Sequence, residues 1–378
     1  MQTVTIIQRR LTHYRVPLFE QLALRLAKAD IRLQLLHGDP TESEAKKNDS
    51  GSLPWAQHLP TRYLLDGRVC WQPFLQQAAG SALVIVTQEN KQVNNLLALA
   101  SPRRPAMAFW GHGRNMQARA PDGAFERFKR WTTCRVDWWF AYTELSASFV
   151  RDDGFPPDRI TVLNNSIDTD ELRAAVTQAR RQTRAALRAS LGLGAGPLGL
   201  FMGSLYEDKR IGFLIEAARA VHSHVPSFEL VLAGDGPQRP LVEAACREHP
   251  FLHYLGSVRG ARKAELLAAS DLMLNPGLVG LGILDAFVAG LPMLTTDCHL
   301  HSPEIAYLDS GRNGLMTANS VPAFVDAVVG LCADEARRQA LAEGAERAGA
   351  DYSIQRMAER FTAGIVAALA AGRQRRHS

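Results

Sequence analysis

The sequence is short of the features that mark a specialised chain. Its five cysteines (Cys70, Cys134, Cys246, Cys298 and Cys332) are scattered, odd in number and without a C-x-x-C pair. That argues against a disulfide framework or zinc site and fits a reducing cytoplasm. No stretch approaches the roughly 18 uninterrupted apolar residues that a spanning helix needs, so any membrane association is expected to be peripheral. Residues 1–10 hold too short an apolar core for a signal peptide. Charge is not extreme: 43 Lys and Arg against 38 Asp and Glu leave a net +5. Such a balance suits anionic partners, nucleotide phosphates or acidic headgroups, without singling out nucleic acid. Low-complexity tracts and solenoid periods are absent.

What is present is repetition. At 378 residues the chain exceeds the size at which one core stops growing, so two domains are expected. Aliphatic and β-branched runs alternate with helix-period segments, the pattern of β-α units on parallel sheets. The first half has predicted strands at 4–8, 31–36, 83–87, 106–110, 138–142 and 160–163, with helices near 17–27, 93–99, 124–131 and 145–152. The polar, Gly- and Pro-containing stretch 38–63 reads as a loop or flap. A helical Arg/Ala-rich segment, 170–191, breaks at Gly192-Leu193-Gly194-Ala195-Gly196-Pro197. A second series of strands follows at 198–202, 229–233, 252–255, 272–275, 293–296 and 314–316. These give domains over 1–185 and 186–353, with a terminal helix and basic tail over 354–378 expected to pack back toward the first domain.

Several residues sit where chemistry is done in such sheets. Lys209 and Arg210 occupy the loop after a strand, where a cation reaches a phosphate held over the sheet edge; a solvated loop charge is the competing reading. Gly277-Leu278-Val279-Gly280-Leu281-Gly282 opens a helix, so the backbone N–H groups of Gly280, Leu281 and Gly282 meet an anion at the helix's positive end, or simply form a tight turn. Asp285 lies one helical turn further in. His112, in Gly111-His112-Gly113-Arg114-Asn115, follows a strand at its carboxyl end. Arg9, Arg10, His13, Tyr14 and Arg15 fill the first strand-to-helix connection, as an anion-binding cluster or as ordinary surface cations.

The second half resembles the retaining glycosyltransferases of family 4, glycosyl transferases group 1, which have the GT-B fold. The resemblance rests on Gly203-Ser204-Leu205-Tyr206-Glu207-Asp208-Lys209-Arg210, Ala233-Gly234-Asp235-Gly236-Pro237, Leu284-Asp285-Ala286-Phe287-Val288-Ala289-Gly290-Leu291-Pro292, Pro303-Glu304-Ile305 and Gly311-Arg312-Asn313-Gly314, in that order. Tyr14-Arg15-Val16-Pro17, Trp110-Gly111-His112-Gly113 and Asn164-Asn165-Ser166-Ile167-Asp168 extend it through the first half. It implies two facing Rossmann-like domains with an inter-domain cleft. It makes Lys209 the diphosphate-binding lysine, helped by Arg210, with Asp285 and Ser204 at the nucleotide and ribose. His112 and Glu304 fall at the donor sugar, with His112 and Asp285 as catalytic candidates. Arg10, His13, Tyr14 and Arg15 become the acceptor side, and the base is read near 202–204 and 258–263. Two positions depart from the pattern: Gly277 stands where the family carries the first Glu of a Glu-x7-Glu pair, and Ser204 where many members carry Arg.

Three motifs compete. Asp168-Thr169-Asp170 spells D-x-D but leads into the linker, where a turn with helix capping is expected. Gly192-x-Gly194 follows a helix rather than a strand. The cationic and aromatic cluster Lys129-Arg130-Trp131 to Arg135-Val136-Asp137-Trp138-Trp139 reads as a helix face and a buried strand, with a rim that suits a membrane. The implied activity is hexosyltransferase-like. It moves a sugar with retention, without cofactor or metal, from a nucleotide sugar to a glycan or polyprenyl-linked acceptor. The expected setting is lipopolysaccharide, capsule or exopolysaccharide biosynthesis at the inner face of the cytoplasmic membrane, with no nucleic-acid partner. The rivals are a GT-B sugar phosphorylase or epimerase, and a degenerate binding-only protein.

Overall fold

Aliphatic runs flanked by helices build two parallel sheets, one in each of two units. The computed structural model describes residues 1–45, 49–89, 91–101, 104–114 and 124–377. One unit comprises Met1–Asp168 with Ile354–Ser378, the other Thr169–Ser353.

The first unit carries a seven-stranded sheet. Its spatial order is Gln57–His58, Ile31–His37, Gln2–Gln8, Leu83–Thr87, Ala106–Gly111, Trp138–Ala141 and Ile160–Val162. Every pairing is parallel. The central strands are covered on both faces, which is why they read as continuous apolar runs rather than alternating ones. On one face, Phe19 and Leu22 of helix Val16–Lys28 and Phe361 and Ile365 of helix Ile354–His377 join Ile6, Ile85, Trp110 and Phe140. On the other, Phe74, Ala98 and Phe155 cover Val84, Phe109 and Trp139.

The second unit carries a six-stranded parallel sheet. The order is Leu252–Tyr254, Glu229–Ala233, Leu198–Met202, Leu272–Leu274, Met293–Thr296 and Gly314–Thr317. Helices Ile211–His224 and Val321–Ala333 bring Leu214, Val221, Phe324 and Val328 onto Phe201, Leu230 and Leu294. Both sheets begin with a strand that has its successor on one side and a later strand on the other, the doubly wound pattern.

Two sequence expectations change. The division falls at Asp168 and Thr169, not at 185 and 186, because arginines of this Arg/Ala-rich segment anchor helices Asp170–Ala179 and Arg184–Leu191 to the second unit. Arg180 donates to the Ala289 carbonyl, and Arg184 and Arg188 both grip Asp271. The stretch 38–63 also holds more structure than a loop: Gln57–His58 joins the sheet edge, Glu42–Ala45 is a helical turn, and Arg62–Leu64 pairs with Val69–Trp71. These pieces are too short to leave a periodic signal. Among the described residues no helix is long and apolar enough to cross a membrane.

Candidate functional site

Open parallel sheets bind ligands outside the carboxyl ends of their strands, where the strand order reverses. In the second unit that point lies between Leu198–Met202 and Leu272–Leu274. The loops that leave these strands are 203–210 and 275–281, and the fold presses them together.

Backbone makes the junction. The Leu278 N–H donates to the Asp208 carbonyl at 2.8 Å. A Cβ on Gly277 would fall on that same Asp208 oxygen and on the Lys209 carbonyl carbon and oxygen, so only glycine permits this approach. One of the two residues at which the sequence departs from the family pattern is thus the residue that lets the lysine loop dock. Across the loop, Leu205 donates to the Asp235 carbonyl and accepts from Gln238 N–H. A Cβ on Gly234 or Gly236 would collide with Gly203 or Leu205, so the Gly-Asp-Gly turn serves as backing for 203–205.

Lys209 ends the 3-10 turn Glu207–Lys209 and folds its chain inward. Its Nζ donates to the Leu278 carbonyl at 2.5 Å. Burial pushes its pKa down from 10.5 to about 8, against the opposing pull of Asp208. An anion bound beside it would offset that desolvation and raise the pKa again. Arg210 caps helix Ile211–His224 in the left-handed region, φ 57°. Its guanidinium is engaged by Asn319 Oδ1 at 2.6 Å, Thr296 Oγ1 at 2.9 Å and the Pro276 carbonyl at 3.2 Å, so it braces the loop from behind. Gly280 and Gly282 are uncrowded, with space for a Cβ, and Leu281 is the N-cap of the short helix Gly282–Val288. Ser204 is exposed on the rim. Asp285 is paired with Lys263 at 2.8 Å, which ties the two stretches assigned to ribose and base. Glu304 is buried within the 3-10 turn Pro303–Tyr307.

Two contributors were not singled out from sequence. His301, buried at the mouth of this loop, accepts the Val279 N–H at Nδ1 (3.1 Å) and donates from Nε2 to the Thr296 carbonyl (2.8 Å). Those partners fix the neutral Nε2–H tautomer. Asn275 donates to the Leu278 carbonyl at 3.0 Å, beside Lys209. A buried His three residues before a Glu carries no periodic signal, which is why His301 is invisible in the sequence.

In the first unit the reversal lies between Gln2–Gln8 and Leu83–Thr87, and it is spanned by charge. Arg9 makes a two-pronged pair with Glu44 and reaches Glu89 at 3.2 Å. Hydrogen bonding from Arg9 holds the Glu44 carboxyl well below its ordinary range. Arg10 is held by both oxygens of Asp49, at 2.6 and 2.9 Å, and His13 Nδ1 lies 3.1 Å from the Asp49 carbonyl. Arg9 and Arg10 are therefore neutralised by Glu44, Glu89 and Asp49. Arg15 differs. It is buried, with its guanidinium 5.1 Å from the Trp110 ring, 5.6 Å from Tyr142 and 5.5 Å from Tyr14. His112, exposed at the strand end, meets Tyr142 edge-on at 4.4 Å, so Tyr142 joins Arg15 to His112. Asn115, the Lys129 side chain and the tail side chains beyond Arg373 lie outside the described residues.

Residues 196–334 match the family model described as glycosyl transferases group 1. The chain is 29% identical to the alpha-D-kanosaminyltransferase of Streptomyces kanamyceticus over 191 residues, 47% of this chain and 46% of that one. It is 27% identical to the phosphatidyl-myo-inositol mannosyltransferase of Mycolicibacterium smegmatis over 145 residues, 37% of each. The matched stretch thus spans less than half the length of these curated relatives. Among solved structures, HepE of Anabaena with UDP superposes at a TM-score of 0.68 and 16% identity, covering 97% of this chain and 100% of that one. Sucrose-phosphate synthase of Thermosynechococcus elongatus does so at 0.68 and 16%, covering 96% and 97%. The fold is GT-B, with two Rossmann-like units.

Proposed function

We propose, from the premise that residues 196–334 belong to the glycosyl transferases group 1, that the protein moves a hexose from a nucleotide sugar to an acceptor. The observation that carries this is the half-buried Lys209 ammonium at the strand switch of the second unit, pressed against the loop that precedes helix Gly282–Val288. Cleaving a nucleotide-sugar bond puts growing negative charge on the departing diphosphate. A preorganised cation stabilises that charge more in the transition state than in the ground state. Lys209 supplies the cation, and the N–H groups at Gly280, Leu281 and Gly282 supply donors. Asp285 and Ser204 take the nucleotide and ribose, while Arg210 acts by holding the loop in place.

The first unit takes the acceptor, with Arg15, His13 and Tyr14 at its entry and His112 at the sugar. A glycan or polyprenyl-linked acceptor, in lipopolysaccharide, capsule or exopolysaccharide assembly at the inner face of the cytoplasmic membrane, fits the unspent charge of Arg15. Retention of anomeric configuration and the lack of a metal requirement are part of the same reading. Similarity to HepE, solved with UDP-glucose, supports a uridine nucleotide as the first donor to try.

The test is a thermal-shift panel of nucleoside diphosphates and nucleotide sugars, followed by product analysis. A ligand that favours the native state raises its melting temperature. A shift with UDP or UDP-glucose and a glycosylated acceptor are expected. Release of free sugar phosphate would move the protein to the phosphorylases, and an epimerised nucleotide sugar to the epimerases. One observation favours a second reading, binding without turnover: Gly277 leaves no carboxylate where the family pattern has Glu. Tight UDP binding with no transfer to any lipid or glycan acceptor would establish it.

A further inference from the structure

Helix Ala124–Thr133 of the first unit turns Phe128 and Trp131 outward. Phe128 is 39% and Trp131 54% exposed, and their rings stack at 5.8 Å. Phe128 and Trp131, three residues apart, share one stripe of the helix, and the guanidinium of Arg135, just past its end, lies 4.3 Å from the Trp131 ring. Beside them runs helix Val93–Ala100, whose Leu97 is also exposed, at 46%.

Between the two helices is a groove of about 650 Å³. Leu96, Leu99 and Val136 form its apolar floor, and Phe128 and Trp131 one wall. Its rim is arginine: Arg104, Arg135 and Arg159, which lie on the connections entering strands Ala106–Gly111, Trp138–Ala141 and Ile160–Val162. Among the described lining residues Asp137 is the one acid, and Arg104 already pairs with it at 2.6 Å. Arg135 and Arg159 have no carboxylate partner among the described residues. Arg127 adds an exposed cation on the helix itself.

We infer that this face docks on a bilayer rich in anionic lipid, with Phe128 and Trp131 entering the boundary between headgroups and acyl chains and Arg135 and Arg159 held at the phosphates. Charge complementarity carries the choice of occupant. Surface aromatics beside arginines give the two signals, apolar insertion and electrostatic attraction, that reversible membrane binding requires, and aromatic rings of amphipathic character settle at headgroup level. A groove with an apolar floor and a cationic rim matches a phospholipid, whose charge and chain lie end to end. This face lies at the strand-entry edge of the sheet, the edge opposite the carboxyl ends that carry His112 and Arg15, so it anchors the protein without itself presenting an acceptor, and the assignment does not depend on turnover.

The test is flotation of the full-length protein with phosphatidylcholine vesicles, with and without phosphatidylglycerol. Binding is expected only with phosphatidylglycerol, and it should weaken with salt. Phe128→Ser with Trp131→Ser should reduce it by about tenfold or more, and Arg135→Gln with Arg159→Gln should remove most of its salt dependence. Each variant should keep the wild-type melting temperature and the UDP-induced shift, so loss of membrane binding is separable from loss of the donor site. Wild-type protein that stays unbound, or variants that float as well as wild type, would overturn the assignment. So would a dimer in sedimentation equilibrium that the aromatic variant dissociates, because the face would then serve a second copy of the chain.

Discussion

Lys209 Nζ and the carbonyl oxygen of Leu278 lie 2.5 Å apart, joining the two loops that leave the central strands of the second unit. Burial holds this lysine's pKa down at about 8. A bound diphosphate would raise it again, so binding takes up a proton. Affinity for UDP should therefore be full below about pH 8 and fall as pH rises above it. Lys209→Ala should weaken UDP binding by about tenfold to a hundredfold, the range of a charge-assisted hydrogen bond, and should flatten the pH profile. Titration calorimetry at several pH values measures both; an unchanged profile in the variant removes Lys209 from the site.

The same burial gives a stability signature in the free protein. Unfolded, Lys209 keeps its proton to its ordinary value of 10.5, whereas folded it loses it from about 8. Between these values the unfolded state binds more protons, so this residue's contribution to stability rises with pH. Lys209→Met should abolish that rise between pH 8 and 10.5 in denaturant titrations, with stability at pH 7 unchanged or higher.

Gly277 offers a direct test of how the site is assembled. Gly277→Glu restores the family carboxylate but places a Cβ on the Asp208 carbonyl. The neighbours are backbone and cannot swing away, so overpacking of about 1–3 kcal/mol is expected. Gly277→Ala should cost a similar amount and should also weaken UDP binding by displacing Lys209. Thermal melts with and without UDP check this; a Gly277→Glu protein of wild-type stability with raised turnover would show that the loop has room and that the glycine is a lesion.

Much of this was legible in the sequence, and the exceptions have physical causes. Strands such as Leu83–Thr87 and Glu229–Ala233 are buried on both faces, so their apolar runs are continuous and their limits plain. Lys209 and the glycine loop were readable because strand-loop-helix order alone sets them at one sheet edge. The sequence could not reveal that Arg10 is spent on Asp49 or that Asp285 meets Lys263. Pairings between residues so far apart in the chain leave no local trace. Nor could it reveal that Arg188 belongs to the core of the second unit, since an Arg in an Arg/Ala-rich helix looks like solvent-facing charge.

That Arg188 is only 6% exposed and donates to Asp271 at 2.6 Å, to the Ala269 carbonyl at 2.9 Å and to the Gly196 carbonyl at 2.8 Å. Asp271 also accepts from the Leu198 N–H. Removing one partner leaves a buried charge uncompensated, so Asp271→Ala should destabilise by about 3–5 kcal/mol. Arg184 reaches the same carboxylate but is half exposed, so Arg184→Ala should cost about 1 kcal/mol or less. Urea unfolding separates the two; equal losses would mean that the half-exposed Arg184 pairing counts as much as the buried Arg188 one.

Arg15 is the cation of the first strand-to-helix connection whose charge is not spent. Trp110, Tyr142 and Tyr14 surround its guanidinium, Met357 Sδ is 4.0 Å away, and no carboxylate lies within ion-pair distance among the described residues. Aromatic faces stabilise a buried cation only in part, so the charge is a liability to folding unless an anion completes it. Arg15→Met fills the same space without charge. It should leave the melting temperature unchanged or raise it, leave the UDP shift intact, and raise KM for an anionic lipid-linked acceptor by about tenfold or more. Arg15→Lys keeps the charge but loses the flat stacking surface, so it should recover only part of the acceptor affinity. If Arg15→Met lowers the melting temperature and leaves the acceptor KM unchanged, Arg15 is packing, and the anion belongs elsewhere.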